Sequence, residues 1–302
     1  MKIAFVILAY KNPEQISALV ASLAHRDHYF FIHVDRTKDG IPFKRALEKN
    51  ADANIIFVKR YNSYWGSYLC VKAILGAIEN AFQHEINFDY FIHLSGQDYP
   101  VTSVVDIREK LQASLPASFM YHFTLPCHWK NGGMDRLQSC SFFIGSKRLV
   151  LTKKTQNPVY KFLYRQWRKK TDQFDQVHKF YGGEFYFILH RDAVHVLLNN
   201  IRSDKKLTKR LKYTLIPEEI YIPTMLMQHT GNKLNIQNET LRYIPWEEMG
   251  SSPKTIQSCD LQEIFKGNYL FARKFDFEQY PEVKILIDQH IKSKTIHSNE
   301  FR

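Results

Sequence analysis

The fold is decided near the start of the chain by the stretch Lys2-Ile3-Ala4-Phe5-Val6-Ile7-Leu8-Ala9. Every residue from Ile3 to Ala9 is apolar, and no polar residue alternates with them. A continuous apolar run of this length is typical of a strand that is buried on both faces, as in a parallel sheet. Because helices must then cover both faces of that sheet, the run predicts an α/β fold.

The segments that follow repeat an alternation of helix and strand. A helix is expected from Asn12-Pro13 to about Ala24, because proline is tolerated in the first helical turn. A second helix is expected after Trp65-Gly66-Ser67, where apolar residues recur at helical spacing. Further strands are expected at Tyr29–Val34, Asn54–Val58 and Phe88–Leu94. This order predicts right-handed crossovers and a mainly parallel sheet with helices on both faces.

The second half of the chain is less regular. Residues Leu125 to about Gln138 are interpreted as a long loop, and Gly182–Leu189 as a further strand with a helix from Arg191. The acidic pair in Pro217-Glu218-Glu219 is expected at the start of a helix, where acids are favourable. Residues 291–302 are polar and are expected to form a frayed tail.

Composition and charge restrict the class of protein. The 302 residues are 44% hydrophobic and 14% aromatic, which makes extensive disorder implausible. A net charge of +12 favours anionic partners, namely nucleotides, nucleic acid or an anionic membrane face, although a solvated basic surface explains it equally well. The charge is concentrated at residues 165–170 and 205–212, which resemble membrane-surface segments or ordinary basic helix faces.

Cysteine spacing and the apolar segments favour a cytoplasmic chain without a bound zinc ion. Cys70, Cys127, Cys140 and Cys259 show no paired spacing, so they are interpreted as reduced thiols. The apolar run from Ile3 to Tyr10 is far shorter than the roughly 20 residues of a membrane span. The expected location is therefore the cytoplasm, with peripheral contact to the inner membrane face as a hypothesis.

Several familiar phosphate-binding and catalytic motifs are absent from the sequence. It contains no GxGxxG or GxxxxGK[ST] phosphate loop, no HExxH and no GxSxG. The loop after the fourth strand offers Asp98 but no Asp-x-Asp pair for a metal. If a nucleoside diphosphate leaves a sugar here, lysines must stabilise the developing charge. Glu218, Glu219, Lys254 and Lys274 supply such a set of acids and cations.

Six ordered segments carry a family resemblance that covers roughly residues 2–290. They are His33-Val34-Asp35, Tyr64-Trp65-Gly66, Ser95-Gly96-Gln97-Asp98-Tyr99-Pro100, Pro217-Glu218-Glu219, Arg242-Tyr243-Ile244-Pro245-Trp246 and Leu270-Phe271-Ala272-Arg273-Lys274-Phe275-Asp276. In this order they resemble the core-2/I-branching β-1,6-N-acetylglucosaminyltransferases and the related peptide O-xylosyltransferases, that is, glycosyltransferase family 14.

The resemblance implies a GT-A-type fold, an inverting mechanism and UDP-sugar donors used without a divalent metal or other cofactor. It implies that Glu219 is the catalytic base and that Lys274 contacts the donor diphosphate. Lys254, in Ser252-Pro253-Lys254-Thr255, is the nearest match to a second basic contact. It also implies an aromatic acceptor wall at Trp246, with Arg242 as a further acceptor-binding residue, although Trp246 could instead be an ordinary core residue.

The positions of further residues at the edge of the sheet and in the expected loop suggest the remaining donor and acceptor contacts. Ligands bind beyond the carboxyl ends of parallel strands, which favours donor binding by Val34, Asp35 and Asp98, although Asp35 could instead cap a helix and Asp98 could be a turn residue. Trp65 is expected to shape the donor pocket. Trp129 and Arg136, in the expected loop, are the remaining candidates for acceptor binding.

The chain differs from the animal members, because the expected membrane anchor, stem and disulfide-rich pattern are missing. It therefore resembles a bacterial-type member that acts on a surface glycan. The expected organisation is one domain over residues 1–302, with a nucleotide-sugar half at 1–124 and an acceptor-binding and catalytic half at 125–290.

The expected reaction is transfer of N-acetylglucosamine, in β-1,6 linkage, from a UDP donor to an oligosaccharide or lipid-linked glycan. Xylosyl transfer on the same scaffold is the alternative. A basic nucleic-acid-binding protein is an alternative of another class, but no recognition motif for nucleic acid is present.

Overall fold

A computed structural model describes residues 1–230, 234–246 and 252–300. Its strands are β1 Ile3–Ala9, β2 His28–Val34, β3 Asn54–Phe57, β4 Tyr90–Ser95, β5 Asp98–Pro100, β6 Ser118–Thr124, β7 Cys140–Ile144, β8 Lys147–Leu151, β9 Tyr181–His190, β10 Ile236–Gln237, β11 Arg242–Tyr243 and β12 Phe271–Arg273.

Its helices are α1 Pro13–Ser22, α2 Ile41–Leu47, α3 Tyr68–Phe82, α4 Val104–Ser114, α5 Met134–Gln138, α6 Pro158–Val177, α7 Arg191–Ser203, α8 Lys205–Leu211, α9 Tyr221–Thr230, α10 Leu261–Lys266 and α11 Pro281–Glu300. Short 3₁₀ turns lie at Glu48–Asn50, Lys130–Gly133, Pro217–Glu219 and Ser258–Asp260.

Seven of these strands form one sheet in the order β10-β6-β9-β4-β1-β2-β3. The strand β1 is an interior strand of this sheet and pairs in parallel with β2 and β4, so that Ile3 lies opposite both His28 and Tyr90. The strand β9 is antiparallel to its neighbours β4 and β6. The remaining pairs in this sheet are parallel, which confirms the predicted mainly parallel α/β architecture.

The sheet separates two hydrophobic cores, as the apolar run in β1 predicts. Phe5 and Ile7 contribute to the core that is covered by α1, α2, α4, α10 and α11, whereas Val6 contributes to the core under α3, α7, α8 and α9. All three side chains are completely buried. Burying a side chain of this size stabilises the fold by about 1.5–3 kcal/mol. The strand β1 therefore anchors the helices on both faces of the sheet.

A second, three-stranded sheet brings the C-terminal lysine motif to the carboxyl end of β4. The strand β12 is antiparallel to β5, with Arg273 opposite Asp98, and parallel to β11. The amide of Phe275 then donates to the carbonyl oxygen of Gln97 at 2.9 Å. Lys274 therefore lies beside the loop that follows β4, although the two are far apart in sequence.

The structure corrects three local expectations. The segment 125–138, expected as a loop, contains the 3₁₀ turn Lys130–Gly133 and the helix α5. The acids Glu218 and Glu219 lie in a separate 3₁₀ turn, and the helix α9 begins only at Tyr221. The helix α11 continues to Glu300, through most of the segment expected to be frayed. Within the described residues, no helix is both long enough and apolar enough to cross a bilayer.

Candidate active site

Polar residues gather at the carboxyl ends of the parallel strands. Lys11 follows β1, Asp35 follows β2, and the loop of Gly96 and Gln97 follows β4. The antiparallel strand β9 starts at the same edge, because Tyr90 in β4 lies opposite His190 at the other end of β9. Glu184, near the start of β9, therefore belongs to this edge of the sheet.

Glu219 is held by an ion pair that stacks on an aromatic ring. The Arg136 Nη2 lies 2.6 Å from the Glu219 Oε2, and the Arg136 guanidinium lies 4.3 Å from the Trp129 ring centroid. The Glu219 side chain remains 26% exposed. The structure therefore brings together three residues that the sequence assigned to catalysis and acceptor binding.

Burial raises the pKa of the Glu219 carboxyl group, and the neighbouring Arg136 opposes that rise. The charges of Glu184 and Asp135 raise the pKa further. A carboxylate with a raised pKa and an exposed fraction is a stronger base than an ordinary surface glutamate, and it remains reachable by a substrate hydroxyl.

Glycine at position 133 permits this arrangement. Gly133 has a φ of 72°, in the left-handed region that residues with side chains rarely adopt. A Cβ atom there would lie 3.0 Å from the Trp129 ring and 2.9 Å from Leu125. The glycine thus lets the chain turn tightly beneath Trp129, directly before α5 presents Arg136.

Glu218 has a structural contact that sequence reasoning missed. Its Oε1 accepts a hydrogen bond of 2.6 Å from the Gly66 amide, and the side chain is buried. Burial raises the pKa of Glu218 to about 7, although its hydrogen bond from Gly66 lowers it. Glu218 therefore fixes the Tyr64-Trp65-Gly66 segment against the acidic turn, a role beyond the helix-start chemistry expected for it.

Trp65 is 63% exposed beside the acidic turn. The Arg148 guanidinium, from the hairpin β7–β8, lies 5.2 Å from the Trp65 ring centroid. Gly66 has a φ of 76°, and a Cβ atom there would collide with the Arg148 side chain. Trp65 thus stands on a tightly built loop, and Arg148 is a further cation that the sequence did not single out.

Lys274 belongs to a cluster of like charges. Burial lowers the pKa of its ammonium group, and the charges of Lys11 and Arg273 lower it further. Lys11 Nζ lies 2.7 Å from Asp276 Oδ2, and Asp276 partly offsets the effect on Lys274. Lys11 was missed, although its place after the first parallel strand was a usable signal.

Lys254 occupies the neighbouring segment. The amide of Ile256 donates to the carbonyl oxygen of Lys274 at 2.9 Å, so the segments of the two lysines run side by side. The Lys254 Nζ, however, lies 2.8 Å from the Asp260 Oδ1. Part of the charge of Lys254 is therefore already compensated within the protein.

Asp98 and Arg242 pair with each other inside the protein, and Arg242 also lines a cavity of about 410 Å³. The ligand contacts expected of the two residues stay predictions. The Arg242 Nε lies 3.0 Å from the Asp98 Oδ1, and neither side chain has exposed surface. The ring of Tyr186 lies between the guanidinium groups of Arg242 and Arg273, with centroid distances of 4.4 and 4.2 Å. The buried pair therefore supports Arg273, the residue next to Lys274.

Val34 and Asp35 are likewise committed to the protein itself. Both side chains are buried, and the Asp35 carboxylate accepts hydrogen bonds from the amides and hydroxyls of Thr37 and Ser63. Burial alone would raise the pKa of Asp35, but these hydrogen bonds outweigh it and lower the pKa. Asp35 thus clamps the loop at Ser63 to the end of β2, and its contact with the donor stays a prediction.

Trp246 is 55% exposed and forms an isolated bridge to Pro253. Residues 247–251, which follow it, lie outside the described part of the chain. Its exposed ring is available to a ligand, as the resemblance implied.

Glu184 was also missed, although an acid inside an apolar strand was a signal. Its Oε2 is buried without a hydrogen-bond partner, and its side chain lines a cavity of about 410 Å³ together with Tyr121, Asn238 and Thr240. Burial raises the pKa of Glu184, while Arg242 and Arg273 oppose the rise. A larger cavity, of about 590 Å³, lies between α4, α10 and α11 and contains none of these residues.

Electrostatic neighbours connect the acidic turn to the lysine segment. Glu184 acts on the pKa of Glu219, and Arg273 acts on those of both Glu184 and Lys274. Glu184 thus lies within electrostatic range of both Glu219 in the acidic turn and Arg273 in the lysine segment. In the described part of the chain, no three His, Cys, Asp or Glu residues cluster in a way that could hold a metal ion.

Comparison with known proteins identifies the family. The model of the Core-2/I-Branching enzyme family matches residues 3–267. Xylosyltransferase 2 of Rattus norvegicus is 22% identical over 96% of this chain and 34% of its own length. Xylosyltransferase oxt of Drosophila melanogaster is 25% identical over 91% of this chain and 32% of its own length. The chain thus spans about a third of the length of these curated relatives.

Among solved structures, this chain is similar to mouse xyloside xylosyltransferase 1 in its apo form. The match covers 90% of this chain and 97% of that protein's chain. Its TM-score of 0.39, at 13% identity, is too low to establish a shared fold. The family model is stronger, because it spans most of the chain. The chain therefore belongs to the Core-2/I-Branching enzyme family, a family of glycosyltransferases.

Proposed function

We propose that this chain transfers N-acetylglucosamine from a UDP donor to a saccharide hydroxyl of a surface glycan, in β-1,6 linkage and with inversion. The acceptor oxygen attacks the anomeric carbon as the bond from that carbon to the diphosphate breaks. Glu219 accepts the hydroxyl proton, and UDP leaves with the bonding electron pair. An oligosaccharide or a lipid-linked glycan is the proposed acceptor.

The ion pair between Glu219 and Arg136 is the observation that carries this proposal. A general base must be close to the acceptor hydroxyl and must have a pKa nearer to the working pH than that of an ordinary carboxylate. The partial exposure of Glu219 meets the first need, and its raised pKa meets the second. Trp129, under Arg136, offers a flat apolar ring to one face of a sugar.

The cluster at Lys274 supports the second half of the reaction. Negative charge develops on the departing diphosphate, and nearby cations stabilise it. Lys274, Lys11 and Arg273 are close enough for their charges to lower the pKa of Lys274. An anion bound there would relieve that repulsion. We therefore propose that these side chains bind the diphosphate and that no divalent metal is required.

Xylosyl transfer by the same residues is the alternative. It is supported by the relatives, since the two quoted above are named xylosyltransferases. The donor sugars differ at C2 and C5, but the roles proposed for Glu219 and Lys274 are the same for both.

The test is a thermal-shift and turnover panel with UDP-N-acetylglucosamine, UDP-xylose and free UDP, each with EDTA or with Mn²⁺. One UDP-sugar is expected to stabilise the protein in EDTA and to support transfer, and that sugar identifies the donor. NMR of the product then reports the anomeric configuration and the linkage position. Donor binding that requires Mn²⁺, or an α-linked product, would contradict the mechanism.

A further inference from the structure

The helix α6 carries large apolar side chains on its outer face. Val159, Phe162 and Leu163 are 65%, 60% and 48% exposed, and Tyr160 beside them is 36% exposed. They occupy the first two turns of the helix, where Asn157 caps the amides of Val159 and Tyr160. The N-terminus of the helix is therefore capped, and these apolar side chains face solvent from a regular helix.

The opposite face of α6 is packed, which fixes the orientation of the exposed one. Tyr164 and Trp167 lie in a small core with Cys140 and Leu151 of the hairpin β7–β8. The Tyr164 hydroxyl donates to the carbonyl oxygen of Gln138 at 2.9 Å. Because that side of the helix is already occupied, Phe162 and Leu163 cannot turn inward to join the core.

The surroundings of the exposed residues are strongly basic. Residues 152–170 contain seven Lys and Arg residues, namely Lys153, Lys154, Lys161, Arg165, Arg168, Lys169 and Lys170, and no Asp or Glu. The first acids that follow in the helix are Asp172 and Asp175. Both pair with Arg168, and Asp175 also pairs with Arg210. Among the seven cations, these acids therefore offset Arg168, and Lys161, Arg165, Lys169 and Lys170 keep the helix face around the apolar residues positive.

The second basic segment of the chain has a different structure. In α8 the apolar residues Leu207 and Leu211 are buried in the core, and Arg210 is buried against Asp175. Lys205, Lys206 and Lys209 are exposed, but no large apolar side chain on the same helix is exposed beside them. Only one of the two segments that the sequence grouped together thus combines positive charge with exposed apolar groups.

We propose that the outer face of α6, formed by Val159, Phe162, Leu163, Lys161, Arg165, Lys169 and Lys170, is a docking surface for an anionic lipid bilayer. Aliphatic and aromatic side chains enter the headgroup region, and the surrounding cations contact anionic headgroups. Charge complementarity selects this occupant. A second copy of the chain would bring the same positive charge to the interface, and like charges would oppose its formation.

Docking through α6 would orient the candidate active site. The hairpin that packs under α6 also reaches the loop of Trp65, where Phe143 stacks on Tyr64 at 5.4 Å and Arg148 covers the Trp65 ring. The Tyr164 hydroxyl binds the last residue of α5, the helix that carries Arg136. The docking surface is thus connected by direct contacts to both sides of Glu219, as suits an acceptor held in the membrane.

The experiment is co-sedimentation of the full chain with vesicles of phosphatidylcholine alone or mixed with phosphatidylglycerol, over a range of salt. The wild type is expected to bind the anionic vesicles and to lose binding as salt rises. Phe162→Ala with Leu163→Ala should weaken binding about tenfold, because two exposed side chains no longer enter the bilayer. Lys169→Gln with Lys170→Gln should weaken it by a similar factor and flatten the salt dependence.

The matched control is Lys205→Gln with Lys206→Gln, which removes the same charge from α8 and should change binding less than about twofold. All substituted positions are exposed, so an unchanged thermal melting curve confirms that each variant is folded. The proposal is overturned if the wild type does not bind anionic vesicles, if the α8 variant weakens binding as much as the α6 variants, or if the Phe162 and Leu163 variant binds like the wild type.

Discussion

The two ends of the candidate site differ in how their charges are held. At the acidic end, Glu219 forms an ion pair with Arg136, and Glu218 accepts a hydrogen bond from the Gly66 amide. At the basic end, the charges of Lys11 and Arg273 both lower the pKa of Lys274, and Asp276, which pairs with Lys11, only partly offsets them. The acidic end is thus organised by pairing between opposite charges, whereas the basic end carries an excess of positive charge.

That difference fits the proposed function, with the chemistry at the acidic end and donor binding at the basic end. A base needs a fixed position and a raised pKa; the ion pair with Arg136 fixes the position of Glu219, and burial raises its pKa. A cluster of cations is costly in the free protein and becomes favourable when an anion enters. The comparison therefore predicts that changes at the acidic end affect turnover, whereas changes at the basic end affect donor binding.

The largest effect is expected for Glu219→Gln. The amide keeps the size of the side chain but cannot accept the hydroxyl proton, so kcat should fall about 1,000-fold while donor affinity changes little. Single-turnover transfer and donor titration measure the two quantities separately. Glu218→Gln is the matched control, because the side-chain amide oxygen of the new glutamine can still accept the hydrogen bond from the Gly66 amide. The kcat of this variant should fall less than about tenfold. Equal losses in both variants would contradict the assignment of the base.

The next largest effect is expected for Lys274→Ala. Loss of a partly buried cation that contacts the diphosphate should weaken UDP binding about 30-fold, as measured by calorimetry. Lys254→Ala should weaken it only about threefold, because Asp260 already offsets that charge. If the Lys254 variant loses more affinity than the Lys274 variant, the basic end has been assigned to the wrong lysine.

A smaller effect on stability is expected from the titration of Glu218. Its folded-state pKa of about 7 lies above the ordinary value of 4.5, so the folded protein holds this proton more tightly than the unfolded chain does. The stabilisation that protonated Glu218 contributes is therefore fully present below the pKa of the unfolded state and is lost as pH rises through the pKa of the folded state. Between pH 5 and pH 8, the wild type should lose about 2 kcal/mol more unfolding free energy than Glu218→Gln.

Urea unfolding at each pH measures this difference. Glu278→Gln serves as the control, because that side chain is exposed and its removal should leave the pH dependence of the wild type unchanged. A wild-type stability that is flat between pH 5 and pH 8 would show that Glu218 titrates elsewhere.

The smallest effect is expected in the pH profile of Arg136→Met. Arg136 opposes the rise that burial imposes on the pKa of Glu219, so its removal should raise that pKa further. The base is active when deprotonated, and the acidic limb of kcat/KM should therefore move to higher pH by about one unit. Arg136→Lys keeps the charge and should move the limb less. A shift to lower pH would mean that Arg136 does not act on the base.

Much of the fold was predictable because local patterns agreed with the tertiary structure. The apolar run of β1 predicted burial on both faces, and its residues do alternate between two cores. The segment 125–138 was missed, because Asn131, Gly132 and Gly133 indicate a loop. All three do have positive φ and make up most of the turn Lys130–Gly133, but the helix α5 follows that turn directly.

The candidate site was predictable in part. Placement of Glu219 beside Arg136 and Trp129 agrees with the order of motifs in the chain. The buried pair of Asp98 and Arg242 was not predictable, because sequence shows that two charged residues are present but not that they neutralise each other. Lys11 and Asp276 lie at opposite ends of the chain and meet only in three dimensions.

The sequence by itself determined the α/β class, the family and the identity of the acidic turn and the lysine motif, since periodicity and ordered motifs are local properties of a chain. Only the tertiary structure decided which charges are available to a ligand. Asp35, Asp98 and Arg242 are bound by partners distant in sequence, and α6 exposes apolar groups that α8 buries. Burial and pairing depend on what packs against each side chain, and that is settled only when distant segments come together.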